Sequence, residues 1–260
     1  DAALRRGMSM AINTANVAQK AYAGIAKAAH TSGIIPGQQA DWLAKGTTGL
    51  KYDPVAADKA LTAAGYKKDA KGNRLGKDGK PLPTFKILVG AGWTDFITMA
   101  TVIGQDLKKV GINTSIDQQA WSSYAGGLQT GTYDLGISWG WGFGPTPYYM
   151  YDKTLSPEYS APIGKTAASN LSRYTNPEVT RNLQTYSGTS DLAAQKKAIA
   201  AITKVVMRDM PYLALTDRSE FSNFNTSRFT GFPSNQNPYN HGTADDTIDA
   251  RLMYLNIKAK

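Results

Sequence analysis

Residues 84–89 read TFKILV, residues 112–116 read INTSI and residues 134–139 read DLGISW. Each run is short and rich in β-branched or apolar residues, as a strand is. Between the first two, Ile97, Ala100, Ile103, Leu107 and Val110 recur at helical spacing, and Gly111 closes the stripe. Between the second and third, residues 122–129 read as a short helix. The pattern is a βαβαβ unit, and right-handed crossovers make its strands parallel. Ligands in such sheets bind beyond the carboxyl ends of the strands.

Those three ends carry tryptophan. The first leads into Gly90-Ala91-Gly92-Trp93, the second into residues 118–121 with Trp121, and the third into Trp139-Gly140-Trp141-Gly142-Phe143-Gly144-Pro145-Thr146-Pro147-Tyr148-Tyr149. Glycine lets a backbone turn sharply and approach a ligand, and large aromatics present flat faces to a sugar ring or an apolar group. Trp93, Trp121, Trp139, Trp141, Phe143 and Tyr148 are therefore the candidate ligand-binding residues. The competing role is a glycine-softened core corner that tryptophans merely fill.

Outward from this unit the chain reads mainly as helix and loop. Leu4, Met8, Ala11 and Ile12 share a helical face behind Asp1 as a cap, and Thr14 or Asn16 caps a second helix through Tyr22. Residues 23–49 form a long irregular connection that Trp42 anchors. Asp53-Pro54 starts a helix that Gly65 stops, and residues 69–83 carry two turn signals around Arg74-Leu75, which suits an exposed hairpin. After Tyr149 a polar loop runs to Arg173. Asn176-Pro177 opens one helix, and Ser190-Asp191 opens a longer one that turns Leu192, Ile199, Ile202, Val206 and Met210 inward and ends at Pro211. Residues 212–216 and 252–257 read as strands.

Composition bounds the function. No run of about 18 apolar residues is present to span a membrane. The start, Asp1-Ala2-Ala3-Leu4-Arg5-Arg6, lacks the apolar centre of a signal peptide, so the numbering opens at a mature terminus or inside a longer chain. There is no cysteine, and His30 and His241 are the only histidines, so neither a metal nor another cofactor is expected. The net charge of +9 admits anionic partners. Its lysines and arginines are scattered, however, and the densest stretch, residues 67–80, also carries Asp69 and Asp78. That stretch is a solvated face, and no nucleic-acid partner is expected.

Residues 136–140 match the nucleophile-elbow pattern, and Ser138, Asp217 and His241 follow the order of a serine hydrolase triad. The elbow needs a helix directly after the serine, and Gly142-Phe143-Gly144-Pro145-Thr146-Pro147 cannot make one. Gly164-Lys165-Thr166 lacks the earlier glycine of a phosphate loop, and no pair of carboxylates is picked out for glycoside hydrolysis. The chain is not expected to be an enzyme.

Several segments, taken in order, carry a resemblance. They are residues 4–13, Leu-Arg-Arg-Gly-Met-Ser-Met-Ala-Ile-Asn; Tyr52-Asp53-Pro54 through Ala64-Gly65-Tyr66; Asp78-Gly79-Lys80-Pro81-Leu82; Leu107 through Ile112; Gly131 through Leu135; and Met210-Pro211-Tyr212. Together they resemble the C-terminal half of the extracellular solute-binding proteins of the oligopeptide, dipeptide and nickel transporter family. The resemblance implies an α/β type II periplasmic-binding lobe with a central mixed sheet flanked by helices, spanning residues 1–216. Residues 217–260 would be a tail returning toward an N-terminal lobe, since the family's proteins are about twice as long. It further implies a monomer outside the cytoplasm, periplasmic or lipid-anchored, that hands a small-molecule ligand to the membrane permease of an ABC importer.

The family's peptide binders place an aspartate a few residues after the loop tryptophan to pair with the peptide amino terminus. Gly142-Phe143-Gly144 stands there instead. The aromatic loop resembles the oligosaccharide-binding branch. A peptide ligand remains the alternative, as do the hydrolase and the ligand-sensing domain of a regulator, which would need a DNA-binding segment upstream.

Overall fold

The computed structural model describes residues 1–140, 144–218, 222–234, 236–240 and 247–260, the side chains of 247–249 excepted. It divides into two compact units, residues 1–217 and 218–260.

In the first unit, α1 (Ala2–Ala11) and α2 (Thr14–Tyr22) lead to β1 (Lys27–Ala28), the short α3 (Pro36–Gln39), and α4 (Pro54–Ala63). Then come β2 (Phe85–Gly90), α5 (Thr94–Lys109), β3 (Thr114–Gln119), α6 (Trp121–Thr130) and β4 (Leu135–Gly136). Helices α7 (Tyr148–Leu155), α8 (Pro177–Ser187) and α9 (Leu192–Asp209) follow, with β5 (Thr216–Asp217) closing the unit. The caps follow from sequence. Asp1 accepts hydrogen bonds from the amides of Ala3 and Leu4, Asp53 from Ala56, and Asp191 from Ala193 and Ala194. Asn13, rather than Thr14 or Asn16, caps α2 by accepting from Asn16.

The βαβαβ unit forms as its periodicity predicts, with strand order β3-β2-β4 and both pairings parallel. This sheet is parallel throughout rather than mixed; antiparallel pairing in this unit is carried by a separate ladder of β1 with β5. The third strand is shorter than residues 134–139. Only Leu135 and Gly136 pair with Ile87 and Leu88, and a single further bond joins the Ile137 amide to the Leu88 carbonyl at 3.1 Å. Of residues 212–216 only Thr216 lies in a strand, β5, which runs on to Asp217 and pairs with the two-residue β1.

Two apolar cores hold the unit. One gathers α1, α2, α4, α5 and α6 around the sheet through Met8, Leu61, Val89, Phe96, Leu107 and Tyr124. The other packs Ile34, Trp42, Tyr151, Leu155, Leu183 and Ile202 from the connection, α7, α8 and α9. Trp42 thus anchors its connection as expected. Residues 150–173, expected as loop, include most of α7, since Tyr151 and Leu155 lie four apart on one buried face. Leu192, expected inward, is exposed at the start of α9.

The stretch 69–83 is a turn pair with isolated bridges Lys68 to Arg74 and Leu75 to Pro81, but its centre is not exposed. The Arg74 side chain is fully buried. Its guanidinium donates to the carbonyls of Val110 and Tyr66, to the Thr62 hydroxyl and to the Asp58 carboxylate. A guanidinium can leave water only when its donors are met this completely.

In the second unit β6 (Phe229–Thr230) pairs antiparallel with β7 (Lys258–Ala259), and α10 (Thr247–Asn256) lies between them in sequence. Residues 252–257, expected as a strand, belong mostly to this helix. Phe224 and Phe232 stack with centroids 4.6 Å apart. Among the described residues no helix is long and apolar enough to cross a membrane.

Candidate functional site

The three parallel strands end at Gly90, Gln119 and Gly136, and the residues beyond those ends meet. Trp93 precedes α5, Trp121 opens α6 and Trp139 follows β4. The Trp93 ring centroid lies 5.0 Å from that of Trp139 and 5.6 Å from that of Trp121. Trp121 and Trp139 are 6.3 Å apart. Two residues that the sequence did not single out support this shelf. Phe96 lies 5.4 Å from both Trp93 and Trp139, and Tyr124 lies 5.1 Å from Trp93 and 6.0 Å from Trp121. Both are buried, and both follow their tryptophan by three residues on a helix, a spacing that brings side chains together and could have flagged them.

None of these rings lies parallel on another; interplanar angles run from 36° to 81°. Trp121 is 61% exposed and Trp139 47%, while Trp93 is half-buried behind them. Gly90 makes room for this arrangement: a Cβ at that position would stand 2.5 Å from Cδ2 of Trp93. The floor is fixed by the Tyr124 hydroxyl, which donates to the Ile137 carbonyl at 2.6 Å. Burial pushes that phenol up to about 12.

Tyr148 has different neighbours. Its ring stacks on Tyr186 at 4.3 Å and 9°, and Tyr186 in turn meets Trp42 at 5.9 Å, within the second core. One face of Tyr148 is thereby occupied. Trp141 and Phe143, and His241 of the hydrolase alternative, lie outside the described residues. Beyond them the loop is tied down where Gln39, buried, donates to the Gly144 carbonyl at 3.0 Å, and where the Tyr186 hydroxyl bonds that of Thr146 at 2.9 Å.

Ser138 is followed by non-helical residues through Gly140, so the strand-to-helix turn of a nucleophile elbow is not formed there. Asp217 sits in the other sheet, paired across the ladder with Lys27, and burial raises its carboxyl to about 6. Among the described residues no cluster of three potential metal ligands occurs.

A family model described as bacterial extracellular solute-binding proteins, family 5 Middle, matches residues 1–161. A mannohexaose-bound periplasmic oligopeptide-binding protein of an oligopeptide ABC transporter from Thermotoga maritima superposes with a TM-score of 0.84 at 28% identity, over 99% of this chain and 49% of that one. The oligopeptide-binding protein AppA from Bacillus subtilis, in complex with a nonapeptide, gives 0.73 at 19% identity over 93% and 47%. NikA from Brucella suis, in complex with Fe(III)-EDTA, gives 0.69 at 22% identity over 84% and 42%. The last two are alike in fold alone. The chain spans about half the length of these structures. A comparison with curated proteins finds no match.

Proposed function

Because this chain belongs to the bacterial extracellular solute-binding proteins of family 5, we propose that it is the ligand-binding lobe of the capture component of an ABC importer, and that its ligand is an oligosaccharide. The observation that carries the ligand class is the shelf itself: two exposed indoles at the carboxyl ends of parallel strands, backed by a third. An indole face buries the apolar C–H side of a pyranose while leaving the hydroxyls free at its edge. The mannohexaose bound to the Thermotoga maritima protein supports the same class. Binding is non-covalent. On this reading the protein works outside the cytoplasmic membrane as a monomer, with residues 217–260 as a tail returning toward a second lobe.

The test is a tryptophan-fluorescence titration of the full-length protein with mannohexaose, cello-oligosaccharides and short peptides. Saturable change with a sugar is expected, weakened roughly 30-fold or more in Trp121→Ala and in Trp139→Ala, because a central aromatic anchor is worth about 2 kcal/mol or more and each 1.4 kcal/mol is tenfold. The name of the Thermotoga maritima neighbour favours peptide as the second ligand class. A response to peptides alone would establish it and overturn the sugar assignment.

A further inference from the structure

The aromatic shelf supplies a face but no directional contact, and a sugar held only by a face can slide and rotate. We propose that Gln119 and Asp117 are the polar half of this site, holding adjacent hydroxyls of the ring laid on the indoles; this rests on the oligosaccharide reading given above.

Sheet register places the pair. Gly90 of β2 is aligned with Gln119 of β3, and Leu88 with Asp117, in parallel pairing. Aligned residues of a parallel pair point to the same face, so the Gln119 and Asp117 side chains leave the sheet on the side where a Cβ of Gly90 would point. That position is where the Trp93 ring lies. The same face carries α6, since the Leu88 side chain comes within 3.0 Å of a Cβ at Gly127. Helix α6 opens at Trp121, two residues after Gln119. Gln119 therefore rises beside Trp93, at the mouth of the shelf. The sheet order makes β3 an edge strand, so nothing of the sheet stands on the outer side of the pair.

The two side chains are joined to each other. Gln119 Nε2 donates to Asp117 Oδ2 at 2.9 Å, which orients the amide. Both are half-buried. Among the described residues Asp117 Oδ1 and Gln119 Oε1 have no hydrogen-bond partner, and Nε2 retains a second hydrogen. The set is two acceptors and one donor, held in one orientation at the edge of an aromatic platform. Adjacent sugar hydroxyls, each donor and acceptor, satisfy it. A site that hydrogen-bonds a hydroxyl discriminates strongly against a ligand that lacks or misplaces it, because its own polar groups are then left unpaired. The pair is thus a selector among sugars that differ in hydroxyl orientation.

The experiment compares mannohexaose with cellohexaose, whose rings differ in the orientation of one hydroxyl, by fluorescence titration of the full-length protein. Asp117→Asn, which keeps the shape, and Gln119→Ala are measured beside Ser115→Ala, on the same face farther from the shelf, and Trp139→Ala. The expected result is a 10-fold or greater loss for the preferred sugar in the first two variants, a smaller loss for the other sugar, and no change in Ser115→Ala. The ratio of the two affinities then moves toward one, which mere loosening of the fold does not do. If Asp117→Asn and Gln119→Ala leave both affinities and their ratio within twofold while Trp139→Ala abolishes binding, the pair has no such role and the oligosaccharide reading stands. If the unaltered protein binds neither sugar, the reading fails and takes this inference with it.

Discussion

The indole of Trp93 lies across the place where a side chain of Gly90 would begin, its Cδ2 only 2.5 Å from an ideal Cβ. The last residue of the central strand is thus part of the aromatic shelf through what it lacks. Gly90→Ala forces the Trp93 ring away from its contacts with Trp121 and Trp139, at a cost of about 1–3 kcal/mol for an overpacked site. The expected outcome is weaker oligosaccharide binding with an altered tryptophan emission spectrum, at a melting temperature lowered by about 2–12 °C. Gly126→Ala is the control, since a Cβ there meets nothing within 4 Å.

Arg74 bridges α4, the turn pair and the end of α5 from a fully buried position. Arg74→Met keeps much of the volume but leaves the Tyr66 and Val110 carbonyls without their side-chain donors and strands Asp58 on Lys68 alone. Asp58 is partly exposed and keeps Lys68, so the loss is that of the buried carbonyls left without a donor, about 1–3 kcal/mol. Urea unfolding should show the midpoint fall with the slope unchanged; a midpoint that does not move would mean that the guanidinium contributes no net stability.

Asp217 gives the fold a pH dependence with a definite sign. Burial holds its carboxyl up to about 6, against the lowering effect of Lys27, whereas an unfolded aspartate titrates near 3.9. The folded protein keeps this proton where the unfolded chain has released it, so stability falls as pH rises from about 4 to 6 and the cost is fully present above that window. Asp217→Asn should therefore raise the melting temperature at pH 7.5 and leave it nearly unchanged at pH 3.5. An equal shift at both values would assign the effect to something other than titration.

Arg5 and Arg6 of α1 close the end of α9. The Arg5 guanidinium donates to the carbonyls of Met210 and Asp209, both at 2.6 Å, and Arg6 donates to that of Met207 at 2.9 Å. Carbonyls at a helix end lack intrahelical partners and carry the negative pole, so cations there stabilise. Arg5→Ala should cost about 1–3 kcal/mol, and Arg5→Lys should recover only part of it, because one ammonium cannot reproduce the planar fork. Chemical denaturation of the two variants distinguishes these outcomes.

What the sequence determined by itself was local and periodic. Asp1, Asp53, Asn176 and Asp191 cap the helices they precede, and the alternation of two kinds of periodicity over residues 84–139 dictated a parallel three-stranded unit. Parallel strands place their carboxyl ends together, so the convergence of Trp93, Trp121 and Trp139 was implicit in that pattern. The tertiary structure decided everything that needs a partner distant in the chain. A lone arginine between two turn signals reads as solvated until Asp58, Tyr66 and Val110 are found around it. Tyr148 reads as one more aromatic of the loop until Tyr186, 38 positions later, occupies its face. Residues 252–257, Leu-Met-Tyr-Leu-Asn-Ile, read as a strand, but the folded chain puts them mostly in α10 and starts its strand at Lys258. The spacing of side chains is fixed by backbone geometry and is written in sequence, whereas burial and pairing depend on which distant surfaces meet, and only the folded chain contains that information.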